Sequence, residues 1–124
     1  MNRLLVVDDD RTIRDLVSRH LADENVEIDC ADNGADAIRF LRAHQYDVIL
    51  LDLMMSGITG LGVLEYLKAE QPSTIERVIV MTSRKIGATG RICNIDFGRR
   101  LLPKPFSPKD LRGKVAVMTG RSQR

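Results

Sequence analysis

The feature that most constrains this sequence is a set of short apolar runs, each stopping at a charged or hydroxyl side chain. Leu4-Leu5-Val6-Val7 stops at Asp8-Asp9, Val48-Ile49-Leu50-Leu51 at Asp52, and Val78-Ile79-Val80-Met81 at Thr82. Uninterrupted runs of β-branched and aliphatic residues suit strands covered on both faces, as in a parallel sheet. Val26–Ala31 alternates as a fourth strand would, and Arg100–Leu102 offers a short fifth.

Amphipathic stretches fill the intervals. Ile13, Leu16, Val17 and Leu21 recur at helical spacing within residues 11–23, and Ala35, Ala37, Ile38 and Leu41 do so after Asn33-Gly34. Leu61, Val63, Leu64 and Leu67 carry a third helix that ends before Pro72. Residues 86–95 are expected to form a weaker helix, since Gly87 and Gly90 each cost about 1 kcal/mol relative to Ala. Ser107 reads as an N-cap with Pro108 at the first helical position, opening a last helix towards Met118. Five strand–helix repeats predict an α/β fold, a five-stranded parallel sheet doubly wound with helices on both faces. In such folds the functional site lies at the carboxyl ends of the strands.

The chain's 124 residues suffice for one domain, expected over 1–118, with 119–124 as a polar tail or the start of a linker. No apolar run is long enough to span a bilayer, and the N-terminus lacks the layout of a signal peptide. Cys30 and Cys93 stand far apart, outside any C-x-x-C spacing, and Cys30 is expected in the core. A reducing cytoplasm is the expected setting.

The strand ends carry the chemistry. If the sheet is parallel, Asp8, Asp9, Asp52, Thr82 and Lys104 all project from one edge. Singly, each is an ordinary turn or surface residue; together they form a constellation. Crowded carboxylates repel and demand a counter-charge. A hard divalent cation such as Mg²⁺ supplies it through oxygen ligands. A lysine and a hydroxyl suit phosphoryl oxygens, and a carboxylate can itself attack phosphorus to give an aspartyl-phosphate.

Over essentially its whole length the chain resembles the receiver domains of bacterial two-component response regulators. The resemblance rests on L-L-V-V-D-D-D, V-I-L-L-D-L-M-M-S-G-I-T-G-L, V-I-V-M-T-S and L-P-K-P-F. It implies the flavodoxin-like (βα)5 receiver fold and a role for each residue. Asp52 matches the phosphoacceptor, Asp9 the direct metal ligand, and Asp8 an acid that reaches Mg²⁺ through water. The Met54 backbone carbonyl matches a main-chain metal contact. Thr82 matches the hydroxyl that moves towards the phosphoryl group, and Lys104 the lysine that pairs with it. The Lys104–Pro105 peptide is expected to be cis. The resemblance also implies a histidine kinase or histidine phosphotransfer protein as phosphodonor, and a phosphoacceptor with self-catalysed phosphotransfer rather than an enzyme acting on other molecules. Asp10 has no role in this scheme and reads as a solvated helix-start acid.

Some positions depart from the family pattern. Leu101 stands where a switch aromatic is usual, Phe97-Gly98-Arg99-Arg100 precedes it in place of small and acidic residues, and Phe97 reads as core. Met54 and Arg84 occupy positions that tune hydrolysis of the acyl-phosphate. Neither can orient water, so self-dephosphorylation is expected to be slow.

Net charge is +2, but residues 1–83 carry 8 basic and 15 acidic side chains whereas residues 84–124 carry 11 and 2. A split this uneven bears on partners, and the resemblance implies that the face carrying Arg84, Lys85, Arg91, Arg99, Arg100, Lys109, Arg112 and Lys114 engages an output domain or a second copy. Direct nucleic-acid binding is not expected, because no aromatics interleave the charges.

Two rival functions are open to the sequence. A degenerate receiver could act as a constitutive interaction module. Asp8-x-Asp10-x-Thr12 also fits the nucleophile loop of haloacid-dehalogenase-type phosphatases with Asp8 attacking, although no later acidic pair completes that site. A dinucleotide site is disfavoured by the acidic first loop.

Overall fold

The computed structural model describes residues 2–21, 26–55, 57, 59–82 and 91–119. Strands β1 (Asn2–Val7), β2 (Val26–Ala31), β3 (Val48–Asp52) and β4 (Val78–Thr82) alternate with helices α1 (Arg11–Leu21), α2 (Gly34–Ala43) and α3 (Gly60–Glu70). A 3-10 turn over Pro72–Arg77 joins α3 to β4, and a small hairpin, β5 (Arg91–Ile92) and β6 (Ile95–Asp96), follows. Strand β7 (Leu101–Pro103) and helix α4 (Pro108–Thr119) complete the order.

The main sheet runs β2-β1-β3-β4-β7, every pair parallel. The three apolar runs occupy its centre and segregate by the period of two of a strand. Leu5, Val7, Ile49, Leu51, Val78 and Val80 face Leu41 of α2 and Val63, Leu64 and Leu67 of α3. Leu4, Val6, Val48, Leu50, Ile79 and Met81 face Val17 of α1 and Leu111 and Val115 of α4. Helices therefore cover both faces, which is why the central strands carry no polar alternation.

The helix starts follow from capping chemistry. Asn33 Oδ1 accepts from the Asp36 N–H at 2.7 Å. Ser107 Oγ accepts from the Asp110 N–H at 3.0 Å, and Asp110 returns the bond to the Ser107 N–H at 3.3 Å. Asp10 is exposed, and its side chain accepts from the Thr12 N–H at 2.9 Å, the helix-start role expected of it.

Two expectations are corrected. Residues 91–95 are not helical: Arg91–Ile92 and Ile95–Asp96 pair antiparallel around Cys93 (φ 52) and Asn94 (φ 64). Two consecutive left-handed residues close a tight hairpin that no helix accommodates, and Ile92 is buried against the α2–α3 side. The remainder of that expected helix, 86–90, lies outside the described residues, as do Arg84, Lys85 and the tail 120–124. Cys30 is exposed, not core. Strand β2 is the sheet edge, and the Ser18 hydroxyl of α1 lies 3.8 Å from the Cys30 sulfur. Phe97, by contrast, is buried in the core, with Leu101 packed partly buried against the same cluster.

Candidate functional site

From β1 the chain passes outward on one side to β2 and on the other to β3, so the carboxyl ends of β1 and β3 flank the point where strand order reverses. Asp8 follows the last residue of β1 and is fully buried. Its Oδ1 accepts from the Asp10 N–H at 2.9 Å, and its backbone carbonyl accepts from Arg14 Nη1 at 2.8 Å. Asp52 ends β3, is 5% exposed, and accepts at Oδ1 from the Met54 N–H at 3.2 Å. Asp8, the exposed Asp9 and Asp52 each bring one carboxylate oxygen to within 4.8 Å of the others.

Lys104 reaches this group from the end of β7. Its Nζ is 2.7 Å from Asp8 Oδ2 and 3.6 Å from Asp52 Oδ2. The Lys104 N–H donates to the Thr82 carbonyl at 2.8 Å, continuing the β4–β7 ladder, and the Lys104–Pro105 peptide is cis. Thr82 closes β4 as a buried residue. Of the residues singled out in the sequence, Lys104 contacts Asp8 and Asp52, and Asp9 joins their carboxylates in one cluster. Thr82 ends the adjoining strand, and Met54 lines the same turn with its side chain half exposed.

Electrostatics sets the character of the cluster. Burial pushes the Asp52 carboxyl up from 3.8 to about 6, eased by the Met54 N–H, raised further by the Asp8 charge and countered by Lys104. Burial works against the Lys104 ammonium, but the hydrogen bond and charge of Asp8, joined by Asp52, hold its pKa above the usual 10.5. Three oxygen donors with one lysine are under-neutralised by two charges. One carboxylate faces solvent, so an entering cation has an open approach. That donor set fits a hard divalent ion better than a transition metal, since no nitrogen or sulfur ligand belongs to the cluster.

Two contributors carried no recognisable signal in the sequence. Half-buried Arg14 braces the buried Asp8 peptide from α1, a contact that helical spacing alone does not reveal. Gly60 looked like loop punctuation, yet a Cβ there would lie 2.0 Å from the Asp52 carbonyl oxygen. Only glycine lets the first turn of α3 cross that peptide.

Comparison with known proteins accords with this geometry. Residues 4–116 match the response regulator receiver domain family. The transcriptional regulatory protein ResD of Bacillus subtilis (strain 168) is 35% identical over 121 residues, which is 97% of this chain and 49% of that protein. The chain thus spans about half the length of the curated relatives it matches. The receiver domain of Francisella response regulator 1452 superposes with a TM-score of 0.80 at 25% identity, covering 99% of this chain and 100% of that one. The response regulator TrrA of Thermotoga maritima, solved in complex with Mg²⁺ and BeF, gives 0.76 at 30% identity over 95% and 99%. No described helix is long and apolar enough to cross a membrane. With its doubly wound parallel sheet and an acidic cluster where the strand order reverses, this chain belongs to the response regulator receiver domain family.

Proposed function

We propose that Asp52 accepts a phosphoryl group from a phosphohistidine of a histidine kinase or phosphotransfer protein, with Mg²⁺ held by Asp8, Asp9, Asp52 and the Met54 carbonyl. One observation carries this reading: the convergence of three carboxylates and the Lys104 ammonium at one sheet edge. When bound, the cation neutralises charge on the transferring group. The chain's own residues do the rest. Asp52 Oδ2 attacks phosphorus, the P–N bond of the donor breaks as the P–O bond forms, and the released imidazole nitrogen keeps the electron pair. Lys104 Nζ moves from Asp8 towards a phosphoryl oxygen, and the Thr82 hydroxyl donates to another.

The receiver is proposed to occupy residues 1–118 and to work in the cytoplasm. Its output surface is proposed to be the β7–α4 face, where a groove of about 670 Å³ is lined by Leu101, Pro103, Val117, Arg99 and Lys109 among others. Val117 is 71% exposed there, an apolar residue available to an output domain or a second copy.

Acetyl phosphate with Mg²⁺, followed by mass spectrometry of the borohydride-trapped acyl-phosphate, tests the assignment. The label is expected on Asp52 and to vanish in Asp52→Asn. A label on Asp8 would indicate phosphatase chemistry. No label, together with no response to beryllofluoride, would indicate a constitutive interaction module.

A further inference from the structure

Arg100 is a half-buried cation at the rim of the β7–α4 groove, with its guanidinium turned to backbone oxygens away from the acidic site. Its Nη1 donates to the carbonyls of Ile75 at 2.5 Å and Val78 at 3.1 Å, and its Nη2 to that of Asp96 at 3.3 Å. The guanidinium also stacks 4.8 Å from the ring centroid of buried Phe97. All three bonds go to backbone oxygens and none to a carboxylate, while burial holds its pKa below the ordinary value. The charges of Glu76 and Asp96 offset that burial only in part, so withdrawing this cation from water is costly and the contacts secure something else.

What they secure is the start of β7. That strand is three residues long, lies at the sheet edge and bonds to β4 alone. Its third residue, Pro103, has no N–H to give. So short an edge strand has few ladder bonds, and Leu102 is its one fully buried side chain. The pairing Val80↔Leu101, Met81↔Leu102 and Thr82↔Pro103 is bracketed by two backbone bonds, Val80 N–H to the Arg100 carbonyl at 2.9 Å and Lys104 N–H to the Thr82 carbonyl at 2.8 Å. A slip of one residue would carry Lys104 about 3.3 Å along the strand and turn its side chain to the other face. Its present 2.7 Å contact with Asp8 would not survive that move.

We propose that Arg100 is a positioning residue, pinning the register of β7 from the far end of the sheet and thereby placing the Lys104 ammonium on the Asp8–Asp52 carboxylates. The inference rests on the phosphoacceptor reading for its consequence, not for the placement itself.

Arg100→Met keeps length without donors, Arg100→Gln keeps two donors, and Arg100→Lys keeps the charge. Two readouts follow: the ¹H–¹⁵N signal of the Lys104 ammonium in the metal-free full chain, and the rate of Asp52 labelling by acetyl phosphate with Mg²⁺. Arg100→Met is expected to lose the hydrogen-bonded ammonium signal and to label about tenfold more slowly, since misplacement by ångströms is that costly. Arg100→Lys is expected to recover part of both. In a Lys104→Ala background the Arg100→Met change is expected to add nothing, because the two act as one unit. An unchanged ammonium signal, or equal slowing in both backgrounds, would overturn the proposal. Should Arg100→Met not fold, Arg100→Gln takes its place in the same comparison. Should the wild-type chain not label at all, the phosphoacceptor reading fails while the ammonium signal still decides the role of Arg100.

Discussion

The strongest quantitative consequence of the site concerns Asp52 in the absence of metal. Its carboxyl, 5% exposed and beside Asp8, has a folded-state pKa of about 6 against an ordinary 3.8. Across that interval the folded chain holds a proton that the unfolded chain has released. Stability therefore falls as pH rises from about 4 to 6 and stays low above it. The displacement corresponds to about 3 kcal/mol at neutral pH. Asp52→Asn removes the charge while keeping an oxygen to accept from the Met54 N–H. In EDTA at pH 7.5 it is expected to be more stable than wild type by about 3 kcal/mol, roughly 10 °C in Tm for a domain of this size. By pH 5 the advantage should fall to about half, and Mg²⁺ should stabilise only the wild type. Urea unfolding of both proteins at several pH values, with and without Mg²⁺, measures all of this. An asparagine variant no more stable than wild type at pH 7.5, or one whose advantage ignores pH, would refute the reasoning.

Other outcomes follow from the same geometry. Lys104→Met leaves the buried Asp8 carboxylate without its partner and should destabilise the metal-free chain by about 3 kcal/mol in denaturant titrations, with Mg²⁺ restoring part of the loss. Gly60→Ala drives a Cβ into the Asp52–Leu53 peptide and should cost about 3 kcal/mol in thermal unfolding while weakening Mg²⁺ binding measured by calorimetry. With Met54 half exposed two residues after Asp52 and no acid or amide in its place, the acyl-phosphate should persist for many minutes in Mg²⁺. Loss of the trapped label within seconds would contradict that expectation.

Much of the fold was legible because its constraints are local. Val48–Leu51 and Val78–Met81 must be covered on both faces, and Asp8, Asp52 and Thr82 mark where each strand leaves the core. The Ser107–Pro108 start of α4 is likewise written in adjacent residues. Where the sequence misleads, tertiary packing decides. Ile92 and Ile95 fit a helix as well as a hairpin, and the hairpin wins because Cys93 and Asn94 take left-handed backbone without any glycine to announce it. Cys30 alternates correctly for a core position, but β2 is an edge, and sequence alone does not say which strand ends the sheet. The partners of Arg14 and Arg100 are backbone carbonyls brought near by folding, contacts that no motif encodes.

The two buried carboxylates of the cluster are chemically unequal, and the inequality favours Asp52 over Asp8 as the nucleophile. Both oxygens of Asp8 are engaged, Oδ1 by the Asp10 N–H at 2.9 Å and Oδ2 by the Lys104 ammonium at 2.7 Å. Lone pairs held by such donors, one of them charged, are poorly placed to attack phosphorus. At Asp52, Oδ1 accepts only the longer 3.2 Å bond from Met54, and Oδ2 is 3.6 Å from Lys104, beyond hydrogen-bond range. The less neutralised oxygen is thus the one proposed to attack, while the same imbalance makes the cluster attract a cation. Lys104 is nearer to Asp8 than to Asp52, so its transfer to an incoming phosphoryl oxygen exchanges one anionic partner for another without stranding the ammonium.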